Sequence, residues 1–80
     1  MTLSLWGSDR MKLVLAETPE EAARVYAERI ARRYFGVKAY VRDVRPEPAN
    51  PLLFRAFVCR ISKGGLEAGR DVIIELEKRS

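Results

Sequence analysis

The spacing of apolar and polar positions changes character several times along the chain, and each change marks an element. Residues 11–16, Met-Lys-Leu-Val-Leu-Ala, form a short apolar run closed by Glu17, Thr18 and Pro19. Its length and composition are those of a buried strand. Residues 37–45 alternate, with Val37, Ala39 and Val41 set against Lys38, Tyr40 and Arg42, as in a half-buried strand. Residues 52–62 are apolar on both alternating sets and read as a long strand. Across residues 71–78, Val72, Ile74 and Leu76 alternate with Ile73, Glu75 and Glu77. That favours a strand, although Val72, Ile73 and Leu76 also share a helical face, so a short helix starting near Leu66 competes with it.

Between the first two strands the period becomes helical. Thr18 is placed to cap a helix, Pro19 takes its first position, and Glu21 completes a Thr-x-x-Glu capping box. Glu17, Glu20 and Glu21 lie at the positive end of the helix dipole, Arg29, Arg32 and Arg33 at the negative end, and Gly36 ends the helix. At 100° per residue, Ala22, Ala23, Tyr26, Ala27, Ile30 and Tyr34 share one face. Glu21, Arg24, Glu28 and Arg32 lie opposite, with Glu28 and Arg32 spaced to pair. A stripe dominated by alanine lets the helix approach a sheet closely.

Pro46, Pro48, Asn50 and Pro51 predict a rigid loop, because prolines in this density do not sustain a helix or a central strand. Lys63-Gly64-Gly65 and Gly69 predict the next turn. The expected order is β-α-β-β-β, a small α+β domain with a mostly antiparallel sheet and one helix on one face. The other face is then solvated, covered by the chain ends, or paired with a second copy in a homodimer. The Met-Lys-Leu-Val-Leu opening places the domain at residues 11–80 and makes residues 1–10 an expected disordered extension.

Composition narrows the chemistry. The chain has 80 residues, 48% hydrophobic and 32% charged, which is one ordinary globular domain. Histidine is absent and Cys59 is the single cysteine. A zinc site, a cysteine–histidine pair and an intrachain disulfide therefore lack their residues, and Cys59 in its apolar run reads as a buried, inert thiol. No metal, cofactor or catalytic residue is expected, and the carboxylates form no recognisable catalytic pair. No apolar run reaches the length of a membrane span, and residues 1–6 lack the pattern of a signal peptide, so no membrane partner and a cytoplasmic location are expected. Eleven arginines to four lysines, one asparagine and no glutamine are a thermophile habit, or the mark of a GC-rich genome.

Charge changes the picture most. The net charge is +4. Residues 29–63 hold nine cations against Asp43 and Glu47, a local net of +7, so the flanks together carry −3. If Val37, Ala39 and Val41 face the helix, the open sheet face carries Lys38, Tyr40 and Arg42. The long strand then adds either Arg55, Phe57 and Cys59 or Phe54, Ala56, Val58 and Arg60. With the first set, cations would neutralise phosphates and exposed rings would stack on unpaired bases. The expected nucleic-acid-binding residues, for DNA or RNA, are Arg29, Arg32, Arg33, Lys38, Tyr40, Arg42, Arg55, Arg60 and Lys63. RNP-type segments, a Gly-x-x-Gly clamp, a helix-turn-helix and a phosphate loop are absent. The competing expectation is a protein–protein or dimerisation module using strand edges and Leu52, Leu53 and Phe54. The plainer expectation for Arg42 and Arg55 is cross-strand pairing with Glu75 or Glu77.

Overall fold

The computed structural model describes residues 2–62, 64, 65 and 67–79. The expected α+β class is observed, with two three-stranded antiparallel sheets and one helix. In chain order the elements are β1 (Ser4–Gly7), β2 (Val14–Ala16), α1 (Pro19–Phe35), a 3-10 turn (Gly36–Lys38), β3 (Tyr40–Glu47), β4 (Asn50–Ile61), β5 (Glu67–Glu75) and β6 (Glu77–Lys78). One sheet has the order β2-β1-β6 and the other β3-β4-β5. Only Leu76 separates β5 from β6, and its N–H donates to Leu52 O at 2.8 Å. The two sheets are therefore joined along one continuous strand, and β1 lies on the side of it opposite β4.

Helix α1 forms where the capping residues place it. Thr18 accepts from Glu21 N at 3.2 Å, Pro19 opens the helix, and Gly36 closes it at φ 81°, its N–H donating to Arg32 O. Ala22, Ala23, Tyr26, Ala27 and Ala31 are buried. Ala22, Ala23, Tyr26 and Ala27 meet Trp6, Val14, Ala16, Phe54, Ala56, Ile74 and Leu76 in one core spanning both sheets. Tyr34, expected on the buried stripe, is 48% exposed at the helix end, where Arg70 of β5 stacks on its ring. Among the described residues no layer covers the opposite sheet face, and Leu15, Ile61 and Ile73 are exposed there.

Three expectations are corrected. Ser4–Gly7, within the expected disordered extension, is β1, the middle strand of its sheet, and Trp6 is a core residue only 5% exposed. The strand expected from Val37 begins later, since Gly36–Lys38 is a 3-10 turn and β3 runs Tyr40–Glu47. The proline-rich loop shrinks to a tight hairpin with Pro46 in β3 and Pro51 in β4. Proline is tolerated there because β3 is an edge strand and the register shifts between Pro46 and Glu47. Asn50 Oδ1 accepts from Leu52 N at 3.0 Å and shapes the turn. The last segment is strand, as its alternation favours, in β5 and β6 with Leu76 between them, and the competing helix does not form among the described residues. Among the described residues, no helix is long and apolar enough to cross a membrane.

Candidate nucleic-acid interface

The register of β4 decides what the open sheet face carries. Phe54, Ala56 and Val58 are buried under the helix, so Arg55, Phe57 and Cys59 take the opposite side. Cross-strand partners share a face, and here Tyr40 pairs with Cys59, Asp43 with Phe57, and Arg45 with Arg55. Arg42 is the unpaired residue of a bulge between Val41 and Asp43. It reaches across the face to Glu67, Nη1 to Oε1 at 3.0 Å, and its guanidinium lies 6.0 Å from the Phe57 ring centre. Tyr40, Arg42, Arg55 and Phe57 do stand together.

Their charge, however, is spent locally. Arg42 pairs with Glu67, Arg45 with Asp43 and Arg55 with Glu47. Asp71 and Glu75 lie on the same face through their pairings with Phe57 and Leu53. Three arginines thus meet five carboxylates. The expected pairing of Arg42 and Arg55 with acidic residues holds in kind, but the partners are Glu67 and Glu47 rather than Glu75 or Glu77. A small polar cluster completes the face. The buried Cys59 thiol is pushed above its ordinary value by burial and by its hydrogen bond to Glu67. Glu67 is lowered from its ordinary value, chiefly by the Cys59 hydrogen bond. Tyr40 is raised by burial and by the nearby Glu67 charge.

The remaining expected residues go elsewhere. Arg60 pairs with Ala68 on the helix side of the sheet. Lys38 is exposed in the 3-10 turn, and Lys63 lies outside the described residues. Leu52 and Leu53 are half-buried and Phe54 is fully buried, so Phe54 is core and not contact surface.

Of the cations with no carboxylate partner among the described residues, Arg10, Lys12, Arg29 and Arg33 gather on the helix edge. Arg29 and Arg33 lie one turn apart on α1, facing Arg10 and Lys12 from the loop before β2. The four surround a concavity of about 400 Å³ floored by Met11 and Ile30. Arg32 is exposed on the adjacent helix surface. Among the described residues none of these five forms an ion pair, whereas four other arginines do.

The concavity is held by hydrogen bonds to one carbonyl. The Tyr26 hydroxyl lies 2.7 Å from Lys12 O and 3.0 Å from Trp6 O, and Arg29 Nη1 donates to Lys12 O at 3.3 Å. The Arg29 guanidinium is 5.8 Å from the Tyr26 ring centre. Burial raises the Tyr26 phenol, with the Arg29 charge opposing it, so Tyr26 remains a neutral donor. Sequence reasoning reached Arg29, Arg32 and Arg33 but missed Arg10 and Lys12. The signal was a cation on either side of Met11, hidden by assigning Arg10 to an extension and Lys12 to a strand.

A chain of this order, with a cationic concavity between a helix and a loop, is a small α+β domain. No family model, curated protein or solved structure matches it.

Proposed function

We propose that this protein is a small cytoplasmic nucleic-acid-binding protein, without catalytic chemistry of its own, that grips phosphates along the edge of α1. Arg10, Lys12, Arg29 and Arg33 make the grip, and Arg32 extends it. The observation that carries this reading is the contrast between the two surfaces. The arginines of the open sheet face each have a carboxylate, whereas the helix-edge cations have none among the described residues. Unpaired guanidiniums attract a polyanion over a Debye length and release its counterions on contact. The site thus moves from the sheet, where sequence reasoning centred it, to the helix edge.

Fluorescence anisotropy with labelled single-stranded and duplex DNA and RNA tests the reading at about 50 and about 200 mM salt. Four or five phosphate contacts predict an affinity loss on the order of 10²-fold over that range. Arg29→Glu/Arg33→Glu should abolish binding without lowering the melting temperature, and Arg42→Glu/Arg55→Glu should leave most of it. Unchanged affinity in the helix-edge variant would refute the assignment.

A further inference from the structure

We propose that the free edge of β5 is a docking site for an extended, basic peptide strand, which would add to the sheet in line with β1. Leu76 N–H points to Leu52 of β4, and the β4–β5 register is unbroken from Leu53–Glu75 to Ile61–Glu67. In a strand, successive residues direct their N–H and C=O groups to opposite sides. Arg70, Val72 and Ile74 therefore bond β4, and Asp71, Ile73 and Glu75 direct theirs away from it.

On that far side β1 covers only the end. Trp6 and Gly7 pair with Lys78 and Glu77, and Arg79 N–H donates to Leu5 O at 2.7 Å. Continued, β1 would run along Glu75, Ile73 and Asp71. Instead the chain turns at Ser8, where Met11 N–H closes the turn onto Ser8 O at 3.0 Å. Beyond the turn, β5 is the edge of its sheet. Six main-chain groups over about 14 Å are left facing a groove.

The groove is shaped for a strand. It has a volume of about 820 Å³ and lies between β5, the Ser8–Met11 turn and the C-terminal half of α1. Met11, Ile30, Val72 and Leu76 line its inner side, and Arg70 stacked on Tyr34 at 4.3 Å closes one end. No proline, lysine or bulge guards this edge, in contrast to β3 with its bulge and Pro46.

Charge selects the occupant. Asp9, Asp71, Glu75 and Glu77 border the groove against Arg33 and Arg70. Asp9, Asp71 and Glu75 form no ion pair among the described residues. A second copy is disfavoured, since two β5 edges paired about Ile73 would set Asp71 of one opposite Glu75 of the other. A basic strand fits. In antiparallel pairing, residues opposite Asp71, Ile73 and Glu75 share their outer face, so lysines there meet the two carboxylates. The intervening side chains turn inward to Met11 and Ile30. Such addition takes its affinity from main-chain bonds and its selectivity from alternate side chains.

The probe is an acetylated, amidated octapeptide alternating lysine and valine, titrated into 15N-labelled full chain and followed by amide shifts. The largest shifts and new exchange protection should fall on Asp71, Ile73 and Glu75. The lysine N–H groups face β5 in this geometry. Methylating the lysine nitrogens should therefore weaken binding at least about tenfold, and methylating the valine nitrogens should not. Asp71→Lys/Glu75→Lys changes two exposed, unpaired residues and should switch preference to a glutamate–valine octapeptide. The proposal is overturned by equal binding of the two methylated peptides, by shifts confined to β3 or the helix edge, or by no binding. Protection of β5 that appears with protein concentration alone would make a second copy the occupant and overturn it too. Arg33 borders both surfaces, so the separate test of the other site is Arg10→Glu/Arg29→Glu, whose residues do not line this groove.

Discussion

Tyr26 of the helix donates to the main-chain carbonyl of Trp6 in β1, 3.0 Å away, while the Trp6 indole N–H donates to Ala16 O in β2 at 3.1 Å. Two buried aromatic residues thus tie the first two strands to the helix through main-chain acceptors. Tyr26→Phe keeps the ring and removes the shared donor. A buried carbonyl that loses its partner costs about 1–3 kcal/mol. For a domain of this size, each kcal/mol lowers the melting temperature by about 4–8 °C. Differential scanning calorimetry of Tyr26→Phe should show a fall in that range, and an unchanged melting temperature would remove the hydroxyl from the list of stabilising groups.

The same contacts make β1 indispensable. A domain this small has a stability of only about 5–15 kcal/mol, and truncating a core tryptophan costs about 3–5. A chain beginning at Met11 loses Trp6 and also the middle strand between β2 and β6. It is expected to lose cooperative unfolding and the dispersed amide spectrum of the full chain. A truncated chain that melts cooperatively near the original temperature would show β1 to be dispensable.

This strand is also where the sequence was least legible. Ser4–Gly7 is four residues long, and a hydrophobic period needs more than that to be seen. Its role comes from pairing with β6, some seventy residues later, which no local pattern encodes. The helix was legible almost to its ends because Thr18, Pro19, Glu21 and Gly36 each act on neighbouring main-chain groups. The β4 register was ambiguous because Phe57 and Cys59 are as apolar as Phe54 and Val58. Burial by an alanine-rich helix resolves it. At the candidate site, local charge density identified the basic block but not its neutralisation. Glu67 lies 25 residues from Arg42 and reaches it only through the fold.

Phe57 and Gly69 offer a local test of the open face. A Cβ built on Gly69 would sit 2.3 Å from Phe57 Cζ, so the ring occupies the space a side chain would need. Gly69→Ala should displace the ring toward solvent and away from Arg42, costing about 1–2 kcal/mol. With Phe57→Leu already present, the same substitution should cost much less. A double-mutant cycle by urea unfolding measures the difference, and additive effects would show that the ring and the glycine do not interact.

Stability should fall at both ends of the pH range, for opposite reasons. Tyr26, Tyr40 and Cys59 all have raised values in the folded chain, first through burial. Below their ordinary values both states keep these protons. Above about 8.5 for a thiol and about 10 for a phenol, the unfolded chain releases its protons while the folded one holds them. Unfolding is then favoured, and stability declines as pH rises. Glu67 is lowered, first by the Cys59 hydrogen bond. Its contribution is full above the ordinary carboxylate range and is lost as pH falls through that range and below it. Melting curves from about pH 3 to about pH 11 should therefore fall at both limits. Cys59→Ala removes the first group to ionise and the main donor to Glu67. It should delay the alkaline decline toward the tyrosine range and flatten part of the acid one. Identical profiles for the variant and the parent would show that the cluster on the open sheet face does not couple protonation to folding.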